Sequence, residues 1–398
     1  SKTRPRMNSY NLIEYLVENK NECLMDLSEA QSKVETTPYY KKVKSITNLE
    51  YQEPYQNEKG KWFGDVIPTE YEPKDGKDIA GVVFYDVETC SMNIDAQPEW
   101  EGEFKKFFDN KKNKDATIHK LYQLCYTEWD ESYIHTLNET DTKDIPKKMM
   151  NRLTDKFGKT QEQVMALYEN PPKGDKWKKN CPRVILYAHN GGYDLRFIRQ
   201  YLWDFTIIQN GNSLICGVGN YRNGNKWVKF EFRDTYKLIS KPLAKFGEMF
   251  SLPMAKEYMP YHLYNTKNLW ERGGMLPIEE VLEEIPANKR TRFDDCLVAS
   301  GALQDGMFDM VMYSKYYCKR DVEVMREGFK TFRGWVLDAL DIDVLQFYTI
   351  PSIAHEYFMA TGCYDGTYEL RGVVREFISR ALVGGRCMLC ENTKQFVQ

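Results

Sequence analysis

Gly81–Tyr85 (GVVFY) is a short apolar run rich in β-branched and aromatic residues, the pattern of a buried strand. Asp86 and Glu88 follow directly. Residues two apart on a strand share a face, so these carboxylates leave a hydrophobic strand side by side. Ile118–Tyr126 and Ser132–Leu137 predict two more strands, a hairpin beside the first. Asp144–Asn170 has helical character, with Pro146 where proline starts a helix, and ends at Pro171-Pro172. Arg183–Tyr187 predicts another buried strand, running into Ala188–Ile198 (AHNGGYDLRFI), whose paired glycines permit a tight turn. Thr206–Val218 and Trp227–Asp234 predict a hairpin turning at Asn223-Gly224. Pro242–Phe250 predicts a helix, and Met259–Asn288 a loop-rich segment over a surface or groove. Met307–Phe329 predicts a helix or helix pair.

The 398 residues exceed one average domain. The pattern sets off an N-terminal extension over 1–75, opening on the helix-like Asn11–Glu18, from the strands and helices that follow. A net charge of −3 excludes a globally basic nucleic-acid binder, but phosphate contacts need only local basic patches. One such patch is the basic loop Pro171–Asn180 (PPKGDKWKKN), whereas Lys111, Lys112 and Lys114 lie in a polar stretch. The loop reads as solvated, or as a phosphate contact with Trp177 as a stacking platform. Ten cysteines lack framework spacing, and no signal-peptide pattern opens the chain. Reduced thiols in an intracellular or in-cell viral protein are therefore expected. Cys387 and Cys390 form half of a zinc pattern only and read as structural. No apolar run approaches the length of a membrane span.

Three spacings carry candidate chemistry. They are D-x-E at Asp86 and Glu88, N-x-x-x-D at Asn190 and Asp194, and Y-x-x-x-D at Tyr317 and Asp321. Each has a plainer reading taken alone: an acidic strand end, an N-cap and a core hydrogen bond. Asp194 is the odd one, a carboxylate among Tyr193, Leu195, Phe197 and Ile198 that needs a partner or a metal. Together, four carboxylates match what a two-metal phosphoryl-transfer site needs, with hard oxygen ligands suited to Mg²⁺ or Mn²⁺. Asp86 would bridge two cations, Glu88 and Asp321 would complete one, and Asp194 would hold the other. The Tyr317 hydroxyl would orient the attacking water. His189, beside Asn190, reads as structural.

In this order the motifs resemble Exo I, Exo II and Exo III of the DEDD 3′–5′ exonucleases in their tyrosine-containing form. The set is similar to the proofreading domain of family B DNA polymerases, above all the protein-primed branch of bacteriophages, linear plasmids and related viruses. Phe232–Leu243 (FRDTYKLISKPL) is similar to the single-strand-contacting segment of that branch. Leu370–Met388 resembles its connection to the polymerase domain, with Leu382 where the family usually has a tyrosine. The resemblance implies an α/β, RNase H-like exonuclease domain over 76–335, preceded by the N-terminal extension and followed over 336–398 by a linker and the start of a polymerase domain. It also implies a proofreading activity that removes nucleotides from a single-stranded DNA 3′ end. Lys256 would steady the scissile phosphate, and Thr89, Asn190, Tyr193, Thr235 and Tyr236 would contact DNA. Implied partners are the DNA 3′ end and a terminal or priming protein, in the replication compartment of a host cell. The palm patterns D-x-x-S-L-Y-P and Y-x-D-T-D are missing from these residues, as expected for the N-terminal portion of a polymerase. The rival readings are a catalytically silent module that binds DNA or a priming protein, and a stand-alone RNA exonuclease.

Overall fold

The computed structural model describes residues 51–381, apart from 73–75, 77, 92–118, 140–143 and 211–212. Asn11–Glu18, Lys111, Lys112, Lys114, Leu382 and the Cys387–Cys390 pair lie outside the described residues. Pro73–Phe358 forms one compact unit. Residues 51–72 and 359–381 belong to another, in which Val66–Pro68 pairs antiparallel with Tyr368–Leu370.

The larger unit is built on a mixed sheet. Its strands are β1 (Gly81–Ser91), β2 (His119–Glu128) and β3 (His135–Asn138), then, after helix α1 (Ile145–Phe157), β4 (Arg183–Ala188), β5 (Trp203–Asn210), β6 (Ser213–Asn223) and β7 (Lys226–Asp234). They lie in the order β3-β2-β1-β4-β7-β6-β5, and Lys159–Thr160 pairs with the start of β7. β1 runs antiparallel to β2 and parallel to β4, which runs parallel to β7. This is the expected α/β, RNase H-like arrangement.

The period-2 alternation of β1 divides the core. Val83, Tyr85 and Val87 pack with Met149, Met150 and Leu153 of α1 and with Leu195 and Ile198. Val82 and Phe84 point the other way, onto α2 (Met310–Leu340), where Cys318, Val322, Met325 and Phe329 are buried. Helices thus cover both faces, and Asp86 and Glu88, in phase with Val82 and Phe84, fall on the α2 side. Gly328 lets α2 approach closely, since a Cβ there would stand 2.6 Å from Phe246 Cδ2 and 2.9 Å from Phe250 Cδ2. Alanine would gain up to about 1 kcal/mol in helix propensity, whereas overpacking typically costs about 1–3 kcal/mol. Gly328→Ala is therefore expected to lower the urea midpoint, by about 1–2 kcal/mol of stability. An unchanged midpoint would mean that the two rings move aside freely.

Several elements differ from expectation. The first strand extends to Ser91, so the two carboxylates lie within it. The expected helix over Asp144–Asn170 breaks at Gly158, where the chain is extended and a Cβ would collide with the Thr154 carbonyl oxygen. Thr160 then caps a separate helix, Gln161–Met165, in a capping box with Gln163. Thr206–Val218 is not one strand but parts of β5 and β6, an antiparallel pair of its own; the signal was Asn210-Gly211-Asn212. Gly224, at a φ of 57°, makes the expected turn between β6 and β7. Pro242–Phe250 holds a 3₁₀ turn, Leu243–Lys245, leading into a single α-turn, Phe246–Met249.

Trp177 is no stacking platform. It is 2% exposed, packed with Val164 and Cys181 and edge-on to Trp227 at 5.5 Å, because burying the indole outweighs leaving it in a solvated loop. Nor is Met259–Asn288 merely a cover. Leu263, Tyr264, Leu269, Leu276, Val281 and Ile285 are buried there, in a core shared with Phe293, Phe308 and Tyr313. Met307–Asp309 is the middle strand of a small sheet, after which α2 runs unbroken from an Asp309 N-cap. The seven described cysteines are free thiols. Among the described residues no helix is long and apolar enough to cross a membrane.

Candidate active site

Asp86 and Glu88 project from β1 toward α2, where Tyr317, Cys318 and Asp321 share the inward face. One carboxylate oxygen each from Asp86 and Glu88 and the Cys318 Sγ lie within 4.8 Å of one another. Asp321 Oδ2 is ion-paired with the Lys256 ammonium, while Oδ1 is buried without a hydrogen-bond partner among the described residues. Asp194 sits just before the short helix Leu195–Ile198, and its Oδ1 accepts from the Val87 backbone N–H at 3.2 Å. That bond reaches β1 between Asp86 and Glu88. The structure thus gathers the residues of all three motifs, plus Lys256, around the middle of β1.

The remaining expected residues surround this group. The Tyr317 ring lies under the Lys256 ammonium, 4.8 Å from its centroid, and its hydroxyl is 2.8 Å from that of Tyr261. The Thr89 hydroxyl is 2.7 Å from the Tyr193 hydroxyl, which is 2.8 Å from His119 Nδ1. Asn190 adopts a φ of 61°, and its backbone N–H donates to Asp234 Oδ1 at 2.8 Å. The same oxygen accepts from the Tyr236 backbone N–H at 2.9 Å. Asp234 therefore ties the turn after β4 to the turn after β7. Tyr193 and Tyr236 are exposed, but Thr235 is fully buried. Its hydroxyl donates to Ala188 O and lies 2.9 Å from His189 Nδ1, so it supports the turn from within instead of facing the surface.

Burial dominates the electrostatics. It pushes the Asp86 carboxyl well above its ordinary range, and the charges of Asp321 and Asp194 push it further. Glu88 is raised well above its usual value by burial and then by Asp86 and Asp321. Burial lifts Asp194 to about 7, although backbone donors oppose this. Asp321 is raised by burial despite Lys256. Burial alone would lower Lys256, but Asp321 and Asp86 reverse that and hold it charged. Tyr317 is held as a neutral phenol by burial and by the charges of Asp321 and Glu88. Burial drives His189 down to about 4, leaving a neutral imidazole at neutral pH.

These residues fit divalent cations. Four carboxylates face one ammonium. Glu88 is 4% exposed and has no hydrogen-bond or ion-pair partner among the described residues, and Asp321 keeps an orphaned oxygen. Buried anionic oxygens left this way need protons or cations, and hard oxygen donors suit Mg²⁺ or Mn²⁺.

Residues 179–397 match the family described as DNA polymerase type B, organellar and viral. The chain belongs to this family. A DNA polymerase of Kluyveromyces lactis is 25% identical over 227 residues, which are 52% of this chain and 22% of that protein. Phi29 DNA polymerase complexed with single-stranded DNA is similar at a TM-score of 0.37 and 12% identity, over 71% of this chain and 35% of that one. The same polymerase complexed with primer-template DNA and incoming nucleotide substrates gives a TM-score of 0.35 and 13% identity, over 71% and 34%. The chain spans about a fifth of the length of the yeast relative and about a third of the phi29 chains. The type B polymerase resemblance read from the motifs holds, and the family is one of enzymes acting on DNA that use divalent metals.

Tyr261, Cys318, His119 and Asp234 reach the site or its rim without having been assigned a part from the sequence. Tyr261 sits in a segment without periodicity, so only the fold brings it to Tyr317. Cys318 had a signal: it lies three residues before Asp321, on the same helix face.

Proposed function

We propose that the Pro73–Phe358 unit is a 3′–5′ exonuclease that hydrolyses the terminal phosphodiester of single-stranded DNA, the proofreading part of a protein-primed type B polymerase. The observation that carries this reading is the gathering of Asp86, Glu88, Asp194 and Asp321 beside a half-buried, charged Lys256. When bound, two divalent cations held by these carboxylates would supply the charge neutralisation and Lewis acidity of an in-line displacement at phosphorus.

The chain's own groups do the rest. The Lys256 ammonium, in place before substrate arrives, opposes charge developing on the phosphate oxygens. The Tyr317 phenol, kept protonated and braced by Tyr261, donates a hydrogen bond that orients the attacking water. Thr89 and Tyr193, already hydrogen-bonded to each other, and Asn190 in its left-handed turn would hold the 3′-terminal nucleotides. Tyr236 offers an exposed ring for stacking, and Thr235 fixes the turn that presents it. A terminal protein is the further partner of this reading, and replication of a viral or plasmid genome its setting.

The test is release of nucleoside monophosphates from a single strand in Mg²⁺ or Mn²⁺. Tyr317→Phe is expected to slow the single-turnover rate about 10–100-fold, because it removes one orienting hydrogen bond and leaves the carboxylates intact. A Tyr317→Phe rate below detection would give the phenol a larger part than orientation.

A further inference from the structure

Beside the acidic pair stands a group that the proposed reaction does not use. Cys318 Sγ lies 3.8 Å from Asp86 Oδ2 and 3.7 Å from the Asp86 carbonyl oxygen. Around it lie the Glu88 carboxylate, the Cys125 thiol and the apolar side chains of the buried cluster, and both thiols are fully buried. A thiol donates only weakly at such a distance. The separation instead suits two ligands of one ion: ligands at about 2.3 Å for sulfur and about 2.1 Å for oxygen, at a tetrahedral angle, stand roughly 3.6 Å apart. Glu88 supplies the independent sign of a missing ligand, as a carboxylate 4% exposed with no hydrogen-bond or ion-pair partner among the described residues.

We propose that Cys318, with Asp86 and Glu88, forms a mixed sulfur–oxygen site for a thiophilic dication, of the Zn²⁺ or Cd²⁺ class, which competes with Mg²⁺ for the candidate active site. Soft thiolate ligands select such ions, whereas oxygen-only sites favour Mg²⁺ and Mn²⁺. Binding forms a metal–sulfur bond and breaks the S–H bond, whose proton passes to solvent. Occupancy by the thiophilic ion would draw Asp86 and Glu88 away from the arrangement that hydrolysis needs. The inference rests on the acidic-site reading above and goes beyond it in the identity of the ion.

The experiment titrates the full metal-free chain with Cd²⁺ and reads the ultraviolet sulfur-to-cadmium charge-transfer absorption. Mn²⁺ binding is measured in parallel by electron paramagnetic resonance. Wild type is compared with Cys318→Ser, so that the other thiols cancel, and with Asp86→Asn. The expected result is one equivalent of thiolate absorption in wild type that Cys318→Ser lacks, at least a tenfold weaker Cd²⁺ affinity in Asp86→Asn, and displacement of bound Mn²⁺ by Cd²⁺ in wild type. Mn²⁺ binding with no absorption difference between wild type and Cys318→Ser would overturn the Cys318 site and leave the acidic site standing. Failure of Mn²⁺ to bind would overturn both. Should Cys318→Ser not fold, Asp86→Asn carries the comparison, and unchanged Cd²⁺ affinity there overturns the proposal.

Discussion

Asp86→Ala is expected to reduce 3′-end cleavage by at least about a thousandfold in single turnover. Asp86 occupies the centre of the cluster: one of its oxygens lies within 4.8 Å of Glu88 and Cys318, and the charges of Asp321 and Asp194 act on it. A group that serves both cations of a two-metal site removes several kcal/mol of transition-state stabilisation when lost. About 4 kcal/mol corresponds to a thousandfold. The fold should survive, because β1 is held by Val82, Val83, Phe84 and Tyr85 on its two faces. Removal of one charge from a crowded acidic group also relieves repulsion. The check pairs a quench-flow rate with a thermal melt of the metal-free protein. A near wild-type rate would remove Asp86 from the chemistry. A rate loss accompanied by a lower melting midpoint would assign the effect to folding.

The second large effect concerns stability against pH. Burial raises Asp194 to about 7 in the folded chain, whereas an unfolded aspartate titrates near about 3.9. Between these values the folded state holds the extra proton, so stability falls as pH rises. The stabilisation is fully present below about pH 4 and is lost by the time pH has risen through about 7. At about 1.4 kcal/mol per pKa unit, the loss approaches about 4 kcal/mol as an upper figure. Asp194→Asn removes the titration and retains a side-chain oxygen for the Val87 N–H. In chelator, wild type and Asp194→Asn should melt alike near pH 4, and the variant should melt several degrees higher at pH 8. Excess Mg²⁺ should narrow that gap, since cations replace the proton at the site. A gap independent of pH between 4 and 8 would contradict the origin given for the shift.

Where hydrophobic periodicity was strong, the sequence was a good guide. β1, β2, β3, β4 and the start of α2 stand close to where their apolar runs placed them, and the D-x-E and Y-x-x-x-D spacings put their residues on facing surfaces. What local pattern could not carry was pairing over distance. Tyr261 meets Tyr317 across 56 residues, and Asp234 reaches the Asn190 amide across 44. Trp177 misled because a basic loop says nothing of whether its one aromatic turns inward. Thr235 misled in the same way: the two hydroxyl partners that bury it lie on β4 and the turn after it. Lys256 was ambiguous after a short helix, and only its approach to Asp321 and Tyr317 removes it from the surface.

The carboxylate cluster is proposed to hydrolyse DNA from its 3′ end. The most direct measurement incubates the chain with Mg²⁺ or Mn²⁺ and a 5′-labelled single-stranded DNA, beside the matching RNA, with Asp86→Ala as control. The expected result is a ladder of DNA products shortening from the 3′ end, abolished by chelator and by Asp86→Ala. An intact DNA strand in the presence of folded, Mn²⁺-loaded protein would contradict it, and a ladder on RNA alone would replace DNA proofreading with RNA turnover.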